Sequence, residues 1–347
     1  MPASLSLLAG DVGGTHTRLV WLRTRPEGGF DEVRRSVYPS AAFPTLTEIL
    51  RRFRDETGGD FGAAGLGVPG PVRGHRAKIT NLPWVVDAGE IAATLELPAV
   101  ALVNDLEAHA WGLPLLSAGD FVTLAEGERD PHGNAALIAA GTGLGEAGLA
   151  WTGSDHHPFA TEGGHSSFAP GNELEIELLR YLWRLPEHLG HVSWERLVSG
   201  PGLVTLFEFL CSHRRAQVPP SLGEALREAG DRAAVISGEA LAGGFELAVE
   251  ALGLFVRLYG AEAGNLALKV MATGGVFVGG AIAAKILPAL QGPSFLEAFR
   301  AKGRMRPLLE AMPVRVVTNE AAGLLGAARV AVRAAMQGPG GGIGSSR

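Results

Sequence analysis

Cysteine is almost absent. Cys211 stands alone among 347 residues, so no disulfide can form within the chain and no cysteine cluster can hold a structural zinc. Blocks of like charge are missing as well: the formal net charge is −6, with no basic face or stripe of the kind that nucleic acid requires. No apolar run is long enough for a membrane. The longest uncharged one, Val270–Ala284, is rich in glycine and falls short of the ~20 residues that a spanning helix needs. The apolar run Leu5–Ala9 has no basic residue before it and no A-x-A-like cleavage site, which argues against a signal peptide. A soluble, cytoplasmic protein is therefore expected. Its 46% hydrophobic and 19% charged residues suit a globular chain, and its length favours two lobes.

Glycine is what the sequence has in excess, at 49 residues. Most sit in short pairs at the ends of apolar runs, where glycine marks a turn or a close backbone approach. Gly338–Arg347 differs, with almost nothing apolar, and is expected to be a disordered tail. Ser4–Ala9 and Arg18–Leu22 read as strands flanking the glycine turn after Asp11. Ala135–Ala140 and Ala147–Trp151 repeat the pattern around Gly141-Thr-Gly-Leu-Gly145. Ala63–Val68 and Ala99–Val103 are further strands, and the second runs into Asn104-Asp105 and a helix. Helical patterns follow over Glu173–Trp183 and Gly223–Leu254, then a strand at Val270–Thr273 ahead of Gly274-Gly275. Pro313–Thr318 and Ala321–Ala335 read as a last strand and helix. The alternation predicts an α/β fold. The expected division is a small domain of 1–115 with 319–337, a large domain of 116–318, and a nucleotide cleft between them.

Neither glycine turn is a Walker A loop, since G-x-x-x-x-G-K-[ST] occurs nowhere. Successive backbone N–H groups can still form an anion-binding nest, with Thr15 and Thr142 adding hydroxyls. Asp11 could orient the waters of a Mg²⁺ ion, which keeps several waters and takes few carboxylates. A plain hairpin with nothing bound fits the same residues. Gly143-Leu-Gly145-Glu-Ala-Gly148 matches G-x-G-x-x-G, but strand-like Leu149-Ala-Trp151 follows where a dinucleotide site needs a helix. Asp105 lies at a strand's C-terminal end, where open α/β sheets place ligands. It could accept the hydroxyl proton in phosphoryl transfer, or simply cap the helix. Glu162, His165 and Glu195 offer acceptors and donors for a polyol. A metal site is the rival use, but no H-E-x-x-H is present, and His156-His157 reads as a solvated loop.

Taken in order, these segments resemble bacterial glucokinases outside the repressor/kinase (ROK) group, within the actin/hexokinase/Hsp70 superfamily. Leu8–Thr15 and Ala139–Gly145 look like the two phosphate motifs, Leu102–Leu106 and Glu320–Gly326 like the connecting segments, and Met271–Phe277 like the adenosine motif. Glu162-Gly-Gly-His165, Phe168-Ala-Pro170 and His191–Gly202 are more specific. The resemblance spans about residues 5–335. It implies a two-lobed actin-like ATPase (ribonuclease H-like) fold that phosphorylates glucose at the 6-hydroxyl with ATP and Mg²⁺. Asp105 would be the base, and Asn81, Asn104, Glu162, His165 and Glu195 would hold the sugar. Gly10, Asp11, Gly13, Gly14, Thr15, Gly141, Thr142, Gly143, Gly274 and Gly275 would hold the nucleotide, with Asp11 near the metal. Similar enzymes are commonly homodimers and close on glucose. His16 stands where many relatives have Asn, and the ROK zinc cluster is absent.

Other readings stay open at this level. The chain could phosphorylate another hexose or use polyphosphate as donor. A sugar-responsive regulator on the same fold would carry a DNA-binding domain ahead of the first phosphate motif, and ten residues precede Asp11. An actin-like filament protein would have no use for Glu162, His165 and Glu195.

Overall fold

The computed structural model describes residues 4–79, 82–186 and 190–337. Asn81 and the expected tail at 338–347 lie outside the described residues. The backbone contacts divide the chain into two units: one holds the residues up to Ala118 and again from Asn319, the other is Gly119–Thr318.

In the first unit β1 (Ser6–Val12) and β2 (His16–Thr24) form a hairpin, and β3 (Phe30–Pro39) extends it. The chain then enters helix α1 (Leu46–Thr57) through an N-cap: Thr45 accepts from the Glu48 N–H, and Gly58 ends the helix in the left-handed region. Strand β4 (Ala63–Val68) follows. A small meander of β5 (Val72–Arg73), β6 (Arg76–Lys78) and β7 (Val85–Asp87) leads to α2 (Ala88–Thr94), β8 (Val100–Asn104) and α3 (Asp105–Gly112). Among the described residues the main sheet has the order β3-β2-β1-β4-β8. β1 is antiparallel to β2 and parallel to β4, which is parallel to β8. Alternation along β1 sends Leu8 to one face, against Ile49, Leu50 and Phe53, and Leu7 and Ala9 to the other. That second face is covered by the C-terminal helix, Ala322–Gln337, through Leu324, Ala327 and Ala331. The helix lies so close that a Cβ on Gly65 would meet the Ala327 carbonyl at 2.0 Å.

The second unit repeats this plan. Its strands are β9 (Phe121–Ala125), β10 (Ala135–Ala140), β11 (Leu144–Trp151), β12 (His156–Thr161), β13 (Gly275–Gly279) and β14 (Val314–Val317). Among the described residues they order as β12-β11-β10-β13-β14-β9. The β10–β11 and β11–β12 pairs are antiparallel, while β10–β13 and β13–β14 are parallel. Strands 3-2-1-4-8 of the first unit thus match 12-11-10-13-14 of the second in order and direction. Between β12 and β13 run α4 (Glu173–Leu182), α5 (Gly200–Arg214), α6 (Pro220–Glu228), α7 (Arg232–Leu241) and α8 (Glu246–Val270). After β13 come α9 (Gly280–Lys285), α10 (Leu287–Leu290), α11 (Pro293–Arg300) and α12 (Arg306–Ala311). Helix α8 is buried along most of its length. No helix among the described residues is long and apolar enough to cross a membrane.

Three local expectations change. The helical stretch at 223–254 breaks into α6, α7 and the start of α8. Val270–Thr273 is not a strand: α8 runs to Val270, Met271 caps it in the left-handed region at φ 53°, and the strand starts only at Gly275. His156-His157 is no loop but the start of β12, where His156 bonds the Gly133 carbonyl at 2.9 Å and packs on Trp151.

Candidate active site

In the first unit, the β1–β2 turn is held from inside. The Gly13 N–H donates to the His16 carbonyl at 2.9 Å, and a Cβ on Gly13 would meet that oxygen at 2.8 Å. His16 therefore serves the turn through its backbone, while its side chain is exposed. Ser40, fully buried after β3, is a brace that sequence reasoning missed. Its hydroxyl donates to Gly13 O at 2.7 Å and meets Thr17 Oγ1 at 3.0 Å, and its N–H reaches Thr15 O at 2.9 Å. Thr15 is exposed at the turn. Gly10 is not there: it lies within β1, where a Cβ would collide with the side chains of Leu66 and Leu19, so its lack of a side chain serves the sheet. Asp11, at the end of β1, faces Arg18 at 3.4 Å.

The capping question at Asn104-Asp105 is answered. Asn104 is the N-cap of α3, its Oδ1 accepting from the Leu106 and Glu107 N–H groups at 2.9 and 3.4 Å, while its amide donates to Gly70 O at 3.2 Å. Asp105 is thus not needed as the cap. One of its oxygens accepts from Leu106 N–H at 2.9 Å. Burial pushes its carboxyl above the usual aspartate range, and the charge of Asp11 adds to this against the opposing Leu106 bond and His109. His109 donates back to the Asp105 carbonyl at 3.1 Å. A base whose pKa lies somewhat above an ordinary aspartate's is better matched to proton abstraction near neutral pH.

In the second unit, the β10–β11 turn carries Gly141, exposed Thr142 and Gly143, with the Gly141 N–H donating to Gly143 O at 2.8 Å. The decoy run Gly143–Gly148 continues as β11 and opens no helix. Beside the turn stand the three predicted polar residues. Glu162 precedes a short 3₁₀ turn, Gly163–His165, and Glu195 lies in another, Trp194–Arg196. His165 is 3.5 Å from Glu162 and 3.6 Å from Glu195. The other Glu195 oxygen accepts from the Leu144 N–H at 3.1 Å, and a Cβ on Gly143 would meet it at 2.4 Å. Glu162 and His165 are well exposed and Glu195 is about 29% exposed, so the cluster offers polar groups to a ligand rather than to the core. Beneath it, a Cβ on Gly163 would meet Glu146 Oε2 at 1.9 Å.

Gly274 and Gly275 do not join this site. In the parallel β10–β13 pair Ala135 stands opposite Gly275 and Ala139 opposite Gly279, so the Gly274–Gly275 pair sits at the edge away from the Gly141 turn. Four residues of strand rise, ~13 Å, separate the two ends of β13. Gly274 instead packs on the 133–134 loop, its N–H donating to Asn134 O at 2.8 Å. The pair that reaches the turn is Gly279–Gly280. Gly280 has φ 85°, and a Cβ there would meet Ala140 O at 2.3 Å. The signal was a glycine pair at a strand's C-terminal end opening a helix, hidden because the strand was placed five residues too early. Tyr259 of α8 ties these ends together: its hydroxyl accepts from Ala140 N–H at 3.1 Å and can donate to Gly279 O at 3.1 Å or Ile138 O at 3.2 Å.

Two sheets of matching strand order, with glycine turns joining β1 to β2 and β10 to β11, define the class: the actin-like ATPase fold. A glucokinase from an Antarctic psychrotroph superposes with a TM-score of 0.82 at 30% identity, covering 94% of this chain and 99% of that one. A ROK family glucokinase from Streptomyces griseus, solved with glucose and AMPPNP, shares the fold at a TM-score of 0.64 and 23% identity, over 94% and 99%. The glucokinase family profile matches residues 8–334, and a glucokinase from Nostoc sp. is 40% identical over 340 residues, 94% of this chain and 99% of that protein. The chain belongs to the glucokinase family.

Proposed function

We propose that the protein transfers the γ-phosphoryl group of ATP to the 6-hydroxyl of glucose, with Asp105 as general base. The sugar oxygen attacks the γ-phosphorus, the bond to the β–γ bridging oxygen breaks, ADP leaves, and the hydroxyl proton passes to Asp105. Glu162, His165 and Glu195 are the sugar-hydroxyl partners, with Asn104 and Asn81. The two glycine turns cradle phosphate through the N–H groups not spent inside them, those of Gly14 and Thr15 in one and of Thr142 and Gly143 in the other, and Gly279–Gly280 takes the place of Gly274–Gly275 beside the adenosine. The observation that carries the reading is the polar cluster directly beside the second glycine turn. A filament-type ATPase needs the turn but not three hydroxyl-binding side chains next to it.

Magnesium would arrive with ATP. Asp11 is partly exposed and pairs with Arg18 at 3.4 Å, and it would meet an ion that keeps its waters and binds through few carboxylates plus phosphate. When bound it would neutralise phosphate charge. The reading also takes the protein as cytoplasmic and homodimeric, as the family resemblance implies.

The test is a coupled ADP-release assay with ATP and Mg²⁺ across a hexose panel, repeated with polyphosphate as donor. Glucose-dependent ADP release is expected, and Asp105→Ala should remove it while glucose binding and the melting profile persist. No sugar-dependent release from the wild type would reject the reading, and near-normal turnover in the variant would reject Asp105 as the base.

A further inference from the structure

One segment, 191–202, touches both the sugar turn and the phosphate turn. On the sugar side two backbone bonds and one side-chain bond join it. Phe168 N–H donates to Val192 O at 2.8 Å, Trp194 N–H to Ser166 O at 3.1 Å, and His191 Nε2 pairs with His165 O at 2.9 Å. On the phosphate side Gly200 N–H donates to Gly141 O at 2.8 Å, and Glu195 Oε2 takes the Leu144 N–H at 3.1 Å. The segment is internally braced: Ser199 Oγ donates to Glu195 O at 2.7 Å and accepts from Gly202 N–H at 3.1 Å as the cap of α5. Glu195 spans the two sites with one side chain. Oε1 faces His165 at 3.6 Å, and Oε2 holds the first residue after the glycine turn.

We propose that Glu195 is a positioning residue for the second phosphate turn as well as a sugar contact, so that sugar and nucleotide bind with mutual dependence. The inference rests on the reading above for which ligands are involved. A carboxylate bonded to a backbone N–H is a strong acceptor. When sugar hydroxyls and His165 fix Oε1, the rotamer of the whole side chain is fixed, and Oε2 stays on Leu144 N–H. The Thr142 and Gly143 N–H groups then keep their phosphate-ready geometry with less ordering left for the nucleotide to impose. By linkage the nucleotide must favour the sugar by the same factor. Glu195 is not needed to hold Gly141, which Gly200 secures independently, so its removal loosens the Leu144 end of the turn without releasing both.

The experiment titrates MgADP by calorimetry into sugar-free and glucose-saturated protein, for wild type, Glu195→Ala, Glu195→Gln and His165→Ala. Loss of one charged-acceptor hydrogen bond predicts about tenfold weaker MgADP binding in sugar-free Glu195→Ala and no response to glucose. Glu195→Gln keeps an oxygen for Leu144 N–H and should stay within about threefold of wild type, and His165→Ala within about twofold, since it disturbs only the sugar side. Hydrogen exchange of the 141–146 peptide in wild type supplies a readout free of substitution: glucose alone should slow it. Unchanged MgADP affinity in Glu195→Ala, an equal loss in His165→Ala, or exchange indifferent to glucose would each overturn the proposal. Glucose turnover by the wild type is scored separately. Turnover with an unaltered Glu195→Ala affinity sinks only this inference, while no turnover sinks the kinase reading and leaves the sugar-free MgADP comparison to decide the role of Glu195.

Discussion

Replacing Glu146 by glutamine should change how the stability of the second unit depends on pH. Glu146 is 2% exposed on β11 and Glu262 is fully buried on α8. The two are not equally served. Glu262 accepts from Asn265 at 2.7 Å and faces Lys269 at 3.4 Å, while Lys302 reaches Asn265 Oδ1 at 2.6 Å and Ala261 O at 2.8 Å. Glu146 Oε1 has no hydrogen-bond partner. Burial, with the Glu262 charge second and Lys269 opposing, pushes the Glu146 carboxyl well above the usual carboxylate range. Glu146 is thus the member of the pair that keeps a proton, which it can share with Glu262. An acid whose folded pKa is raised holds a proton that the unfolded chain has already released. Stability therefore falls as pH climbs from the ordinary glutamate pKa near ~4.3 towards the raised folded value, at up to ~1.4 kcal/mol per pH unit. For a unit of this size that is roughly 3–6 °C of melting temperature per pH unit. Glutamine has the same shape, retains a donor for Glu262, and cannot ionise. Thermal melts of wild type and Glu146→Gln from pH 5 to pH 8 should diverge, the variant losing less with rising pH and becoming the more stable of the two above neutrality. Other titrating groups are common to both proteins and cancel in the difference. Parallel curves would mean that Glu146 is ionised at low cost, and the reasoning about its missing partner would be wrong.

Two further outcomes follow from the same structure. With Asp105 as the proposed base, whose pKa burial raises and whose ionised form alone can take the proton, kcat/KM should fall with acidification at a pH above the ordinary aspartate value of ~3.9; a pH–rate profile that stays flat down to that value would contradict the proposal. Tyr259→Phe removes the hydroxyl that accepts from Ala140 N–H, leaving a buried donor unpaired at a cost of about 1–3 kcal/mol, to be read as a lower urea midpoint with an unchanged slope.

What could be seen in the sequence was whatever a short local pattern carries. Glycine turns announce themselves because a few adjacent residues determine them, and Asn104-Asp105 is marked by its place after an apolar strand. Glu162, His165 and Glu195 were legible as polar residues among glycines and aromatics, and the structure brings all three together. The strand before the helix at 280 was misplaced for a specific physical reason. Residues 270–284 form one uncharged run that the fold divides between a helix end, a cap and a strand. The dividing residue is Met271 at φ 53°, a conformation that its identity does not advertise. Ser40 escaped notice because its work on Gly13 depends on β3 returning beside β2, a pairing that spans 27 residues.

The repeated topology also explains where the chemistry sits. Each unit has a hairpin turn followed by a third strand that ends in a 3₁₀ turn: Ser40–Ala42 after β3, and Gly163–His165 after β12. In the first unit that turn folds inward, and buried Ser40 braces the glycine turn. In the second it folds outward, and exposed His165 faces two carboxylates while the bracing falls to Glu195 from another segment. The last parallel strand diverges in the same way. β8 runs into Asn104, which caps α3 and frees Asp105, whereas β14 runs into Thr318, whose hydroxyl donates to Asp120 O at 2.9 Å and so is spent on structure. The proposed base Asp105 and the proposed sugar contact His165 thus each fall at a position whose equivalent in the other half spends a side chain on the fold.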